Sequence, residues 1–144
     1  MSSSVHFYNN QIPFVLKKKG LIRQWIKETI ENEGKTMGEI NYMFGDDEYV
    51  LHVNQDFLHH DYFTDIITFD YCEQETISGD IVISVTRVKE NAHIFHVNME
   101  HELHRVMIHG ILHLCGYKDK TKREEKQMRE KENFYLQKFP VNNL

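Results

Sequence analysis

The sequence predicts a single α+β domain, and three observations carry that reading. Short runs rich in Ile, Val, Phe and Tyr occur at four places and are separated by longer stretches with helical periodicity. The two prolines, Pro13 and Pro140, both fall outside those segments, and no repeat, low-complexity stretch or interdomain linker interrupts them. A chain of 144 residues buries about two-thirds of its unfolded surface in one core, so one domain spanning 1–144 is expected.

The elements follow in order. Residues 5–8 (V-H-F-Y) read as the first strand, and 20–32 as an amphipathic helix with Leu21, Trp25 and Ile30 turned inward, closed by Gly34. Residues 39–44 (E-I-N-Y-M-F), bounded by Gly38 and Gly45, alternate as a second strand. Asp46 or Asp47 caps a short helix through Tyr49, Val50 and Val53 to Phe57. Residues 66–71 and 81–85 read as the third and fourth strands and 86–95 as a helix. A longer helix runs from about 98 to 115, and 121–137 forms a charged C-terminal helix that buries Met128, Tyr135 and Leu136. That makes four strands and about five helices.

The helix over 98–115 holds the one segment that names a chemistry. Leu103, Met107, Gly110 and Leu114 recur at 4-3-4 spacing as an apolar stripe, and His109 and His113 sit beside it. Two histidines four apart lie about 40° from each other around the axis, so both rings leave one face about one turn apart. A metal ion needs that convergence, with imidazole nitrogens at roughly 2.0–2.1 Å. Gly116 then supplies a left-handed turn, and Asp119 arrives where the returning chain passes back over the histidine face. Two His and one carboxylate make a three-ligand site with an open position, as catalytic zinc uses. The competing reading is two core histidines, since such a pair also arises by chance in a chain with ten histidines. The flanking turn and the acid beyond it favour the metal.

Gly110 follows His109 where the H-E-x-x-H metallopeptidases carry their general base, so a peptidase is disfavoured. A mid-helix glycine costs roughly 1 kcal/mol against Ala, and close approach of another backbone or of substrate is the expected reason. The nearby His101-Glu102-Leu103-His104 has i, i+3 spacing and reads as solvated helix surface. Cys115 points about 200° away from His113, into the core.

The stretch His109-Gly110-Ile111-Leu112-His113-Leu114-Cys115-Gly116-Tyr117 resembles the signature H-G-x-L-H-L-x-G-Y of the YbeY family, metal-dependent endoribonucleases of bacterial ribosomal RNA maturation. Two more blocks support the resemblance. Asn54 followed by Thr64-Asp65-Ile66-Ile67-Thr68-Phe69 is similar to the family's asparagine and T-D/N-V-L-S-F stretch, and Gly79-Asp80-Ile81-Val82-Ile83-Ser84 to its G-D-I-V-I-S strand. Together they cover about half the chain, from Leu51 to Asp119.

The resemblance implies a four-stranded mixed sheet packed with helices, with the metal on a central helix and the following turn at one open edge. It implies one ion, Zn²⁺ in the first place with Mn²⁺ or Ni²⁺ as other divalent candidates, on His109, His113 and Asp119. It implies single-strand-specific cleavage in 16S ribosomal RNA 3′-end maturation and ribosome quality control, with the small ribosomal subunit and its proteins as partners. Thr64, Asp65 and Thr68, along an exposed edge strand facing the metal, are then substrate contacts; the alternative is that Thr64 and Asp65 cap the loop.

Two departures stand out. The family ends its motif on a third His where this chain has Lys118-Asp119. A carboxylate makes the bound water less acidic and tilts preference towards harder ions such as Mn²⁺. The family also carries an arginine six residues before the threonine, suited to clamp phosphate. Here that position is Leu58, with His59 and His60 beside it as weak substitutes.

Composition limits the function classes. A 40% apolar content excludes global disorder, and Cys72 and Cys115 form no disulfide framework. No apolar run approaches 18 residues and the start lacks a signal-peptide pattern, so a cytoplasmic protein without a membrane or DNA partner is expected. The net charge of −5 opposes tight autonomous RNA binding. Lys17-Lys18-Lys19 form one basic cluster, and Lys118, Lys120, Lys122 and Arg123 form another beside the metal motif. The second is either an RNA contact or a solvated helix start. With no glutamate after His109 and no second proton-transfer group given by the motif, a water on the ion is the expected attacking group, and the RNA 2′-hydroxyl is its rival. Two other functions stay open: a ribosome-assembly factor with a largely structural metal, and a metal-dependent hydrolase of another substrate.

Overall fold

The computed structural model describes residues 4–59 and 64–140. Four strands form one mixed sheet: β1 (Ser4–Asn9), β2 (Thr36–Gly45), β3 (Ile66–Asp70) and β4 (Thr76–Ser84). Five helices accompany them: α1 (Lys19–Asn32), α2 (Asp47–Leu58), α3 (Val85–Phe95), α4 (Met99–Leu114) and α5 (Lys122–Gln137). The spatial order is β1-β2-β4-β3. β1, β2 and β4 run parallel, and β3 pairs antiparallel to β4 with Ile67 opposite Val82 and Phe69 opposite Asp80. The α+β class, the mixed sheet and the five helices therefore match the sequence reading, and β3 is an edge strand.

Helix starts follow local capping chemistry. Of the two aspartates in question, Asp46 is the cap, accepting from the Tyr49 amide at 2.9 Å. Ser84 and Asn98 cap α3 and α4 in the same way, and Thr121 and Glu124 form a reciprocal capping box at α5.

Period-2 alternation gives each face of the sheet its own core. Ile81 and Ile83 of β4 face a large cluster with Trp25, Ile26, Met107 and Ile111, whereas Val82 joins Ile67 and Val50 under α2 on the other face. In α1 the inward residues are Ile22, Trp25, Ile26 and Ile30, with Leu21 only half-buried; in α5 Met128 and Tyr135 are buried and Leu136 is half-buried.

Three expectations need correction. Strand β4 spans Thr76–Ser84, beginning ahead of Ile81. Gly79 lies within the strand where a Cβ would come 2.5 Å from the Phe69 carbonyl oxygen, so glycine permits the close pairing of β3 with β4. At Gly110, side chains rather than another backbone make the approach. A Cβ there would stand 3.1 Å from side-chain carbons of Ile66 and Ile81, so the glycine lets α4 settle onto the sheet. The segment 101–104 is not solvated surface. Glu102 and His104 are buried, 1% and 6% exposed, and only His101 faces water. Glu102 pairs with Arg105 one turn on, and the His104 ring stacks on Phe139 with centroids 4.4 Å apart, near Trp25.

Replacing Gly79 by Ala forces a carbon against a backbone oxygen that no rotamer change can move. A loss of about 2 kcal/mol is expected, read as a lower denaturation midpoint at unchanged m-value. Burial also pushes the His104 imidazole down to about 4. Its folded value lies below the usual 6.5 of an unfolded histidine, so its stability contribution is whole above about pH 6.5 and is lost as pH falls towards 4. In metal-free protein His104→Phe should remove about 3 kcal/mol of that acid-side loss, measured as a flatter dependence of unfolding free energy on pH between 6.5 and 4.

Candidate metal centre

Between Glu102 and Leu114, only Arg105, His109 and His113 escape full burial. They are spaced by four, so they form one line along α4, and that line borders a polar cleft of about 400 Å³. Thr64, Asp65, Ile66 and Thr68 supply the opposite wall, and Asp119 completes it from the turn after α4.

The end of α4 explains how Asp119 arrives. Gly116 has φ +110°, its amide bonds the His113 carbonyl and the Tyr117 amide bonds the Leu112 carbonyl, each at 3.0 Å. This is the Schellman pattern, which reverses the chain in two residues. The Tyr117 carbonyl then accepts from His113 Nδ1 at 2.9 Å, and Asp119 Oδ2 comes within 3.3 Å of both His109 Nε2 and His113 Nε2. Tyr117 is anchored in turn by its hydroxyl, which donates to Glu33 Oε1 at 2.7 Å.

His109 is held from elsewhere in the chain. Its Nδ1 lies 2.5 Å from Oε2 of Glu132 on α5, a carboxylate only 2% exposed. Arg105 donates to Glu132 Oε1 at 3.0 Å and pairs bidentately with Glu102. Burial alone would raise the Glu132 carboxyl, but the His109 hydrogen bond and the charges of His109 and Arg105 outweigh it and leave it below the usual range.

The residues present fit a divalent cation. Two ligand atoms about 2.0–2.1 Å from a tetrahedral ion stand roughly 3.3–3.4 Å apart, and Asp119 Oδ2 keeps 3.3 Å to each imidazole. The two rings are nearly perpendicular, at 85°, with centroids 4.5 Å apart. Both Nδ1 atoms face fixed oxygens and both Nε2 atoms face the cleft, as in metal sites whose histidines are oriented by an outer layer of acceptors. Among the described residues, His109, His113 and Asp119 are the one group of three such side chains gathered closely enough to hold an ion. Cys115 packs against the core, and burial pushes its thiol up to about 12, so no thiolate ligand is on offer.

The other candidate residues divide. Thr64, Asp65 and Thr68 line the cleft, although the Thr64 hydroxyl is engaged with the Ile66 carbonyl at 3.3 Å. Burial raises the Asp65 carboxyl above the usual range, against the pull of His109 and Arg105. His59 is the exposed left-handed residue ending α2, and Lys118 and Lys120 are exposed on the turn; none of the three lines the cleft. His60 lies outside the described residues. Arg105 and Glu132 were not among the sequence candidates. A buried acid on an otherwise charged C-terminal helix carries no local signal.

Fold and site together define a small α+β protein in which His109, His113 and Asp119, at a polar cleft, could hold a metal ion. The family model described as Endoribonuclease YbeY matches residues 5–140, and the chain belongs to the YbeY family. It is 50% identical over 130 residues to an Endoribonuclease YbeY of Porphyromonas gingivalis, covering 90% of this chain and 86% of that one. To the Endoribonuclease YbeY of Flavobacterium psychrophilum it is 49% identical, covering 93% and 96% of the two chains. A Thermotoga maritima protein solved in solution superposes with a TM-score of 0.67 at 28% identity, covering 94% of this chain and 88% of that one.

Replacing His113 by Ala should abolish stoichiometric metal binding. Because an ion bound to the folded state adds to folding free energy, added Zn²⁺ should raise the melting temperature of the unaltered protein and leave that of His113→Ala unchanged. Elemental analysis and paired thermal melts check this.

Proposed function

We propose that this chain, as a single catalytic domain, is a metal-dependent endoribonuclease that cuts single-stranded RNA, with 16S ribosomal RNA 3′-end maturation as its task. Family membership supports the nuclease activity, and the convergence of His109 Nε2, His113 Nε2 and Asp119 Oδ2 is the observation that carries the metal dependence. Zn²⁺ is the proposed ion, since two imidazoles and a carboxylate at tetrahedral spacing suit it. Ribosome quality control and contact with small-subunit proteins in the cytoplasm belong to the same proposal. Among the described residues no helix is long and apolar enough to cross a membrane.

A divalent ion there would acidify a water and take up charge developing on a phosphoryl oxygen. The protein's own groups do the rest. Glu132 and the Tyr117 carbonyl stand within hydrogen-bond distance of the Nδ1 atoms of His109 and His113, an arrangement that suits Nε2 of each ring to hold a cation. Edge strand β3 offers Thr68 and its free backbone edge to an extended chain. Asp65 lines the same cleft, and the burial that raises its carboxyl supports a role in exchanging a proton with the leaving oxygen. Water is the proposed nucleophile, since the three ligands leave an open position facing the cleft.

The net charge of −5 favours a second reading, an assembly factor with a structural metal and weak catalysis. Incubation with a single-stranded RNA oligonucleotide separates the two. Cleavage that stops with chelator and returns with Zn²⁺ is expected, and stoichiometric metal without cutting would favour the assembly factor. An oligonucleotide with 2′-deoxy at the scissile position should still be cut, leaving a 5′-phosphate. Complete resistance, with a 2′,3′-cyclic phosphate on the unmodified RNA, would make the 2′-hydroxyl the nucleophile.

A further inference from the structure

The connections of Glu132 leave its two oxygens with different duties. Oε1 receives the Arg105 guanidinium at 3.0 Å, and Arg129 approaches the same atom at 3.8 Å. Oε2 faces His109 Nδ1 at 2.5 Å. Arg105 is itself fixed, because Nε and Nη2 are both bound to Glu102, which is 1% exposed. A guanidinium only donates, and it stays charged at any working pH. The oxygen it meets must therefore accept.

We infer that Arg105 is a positioning residue for the metal centre: acting through Glu132, it sets the hydrogen-bond polarity that keeps the proton of His109 on Nδ1 and leaves Nε2 free for a cation. The inference rests on the metal reading for its purpose, although the polarity itself is a property of the metal-free protein. His113 needs no such device, since a backbone carbonyl accepts from its Nδ1 and cannot donate.

The consequence is an unusual ranking of variants. In Glu132→Gln the amide has one oxygen and one NH₂ group. Arg105 claims the oxygen, because NH₂ against guanidinium sets donor against donor. The NH₂ then points at His109 Nδ1 and donates to it, which moves the ring proton to Nε2, the atom that should hold the cation. Glu132→Ala removes the acceptor but imposes no wrong tautomer. The nearly isosteric Gln should therefore weaken metal binding more than Ala does. A carboxylate needed only for packing and charge balance predicts the opposite order.

Long-range proton–nitrogen correlation spectra of the imidazoles in metal-free protein at pH 9 read the tautomer directly. The expected result is Nδ1–H on His109 in the unaltered protein and Nε2–H in Glu132→Gln. Cobalt affinity, measured by chelator competition, should fall by between about tenfold and a hundredfold in Glu132→Ala and further in Glu132→Gln. Circular dichroism of the metal-free variants establishes that they are folded. An Nε2–H tautomer in the unaltered protein overturns the inference, as does Glu132→Gln retaining Nδ1–H or binding cobalt better than Glu132→Ala. Should Glu132→Gln not fold, Glu132→Ala decides: mixed tautomers support the inference and unchanged Nδ1–H refutes it. Failure of the unaltered protein to bind cobalt would refute the metal reading and leave the tautomer measurement standing.

Discussion

Helix α4 lies against the sheet with α1, α3 and α5 around it, so most of its length never meets water. Charges in such a place persist only when paired, because an uncompensated buried ion costs several kcal/mol. The pairing of Glu102, Arg105 and Glu132 meets that demand, and its last hydrogen bond falls on His109 where the burial opens into the cleft. Removing Arg105, the cation the two acids share, would leave carboxylates stranded in the core. Stability of the helix packing and orientation of the cleft-facing histidine are thus one requirement. It also gives α5 a function despite its mostly exposed surface: the helix brings Glu132 to α4 from 23 residues beyond His109.

The two histidines are held by different means, and the difference is one of sequence distance. His113 is oriented by the turn that ends its own helix, through a carbonyl four residues on, so its geometry forms whenever the Schellman turn forms. Asp119 is carried by the same turn. His109 depends on tertiary docking of α5 and on a pair of buried ions. The half of the site that is local is therefore assembled by short-range contacts, while the other half reports whether the domain is packed.

That division also governs what could be read from the chain beforehand. His109, His113, Gly116 and Asp119 were legible because spacing on a helix and a left-handed glycine are local rules. The strands and helices were legible for the same reason, to within a few residues. The early start of β4 was not legible because glycine weakens a strand pattern, and only the nearness of the Phe69 carbonyl shows why a glycine stands inside that strand. The segment 101–104 looked solvated because three of its four residues are polar. What buries them is an ion partner one turn away and Phe139, a ring 35 positions further along the chain. Glu132 could not be distinguished from its many acidic neighbours, since its role exists only in the packed structure.

Charge around the cleft bears on how an acidic protein could take an acidic substrate. Arg105 is already matched by two carboxylates, so it offers phosphate little free positive charge. Asp119 adds a negative group, and Lys118 and Lys120 stay outside the lining. Without an ion, the cleft wall offers a phosphodiester no unpaired Lys or Arg among its lining residues. On the proposed reading, a divalent cation reverses the local sign. The ion would then be needed for substrate to approach as well as for bond cleavage. Attraction for phosphate would then be concentrated at the metal instead of spread over the protein surface, in keeping with a chain whose Leu58 stands where the family resemblance leads one to expect an arginine.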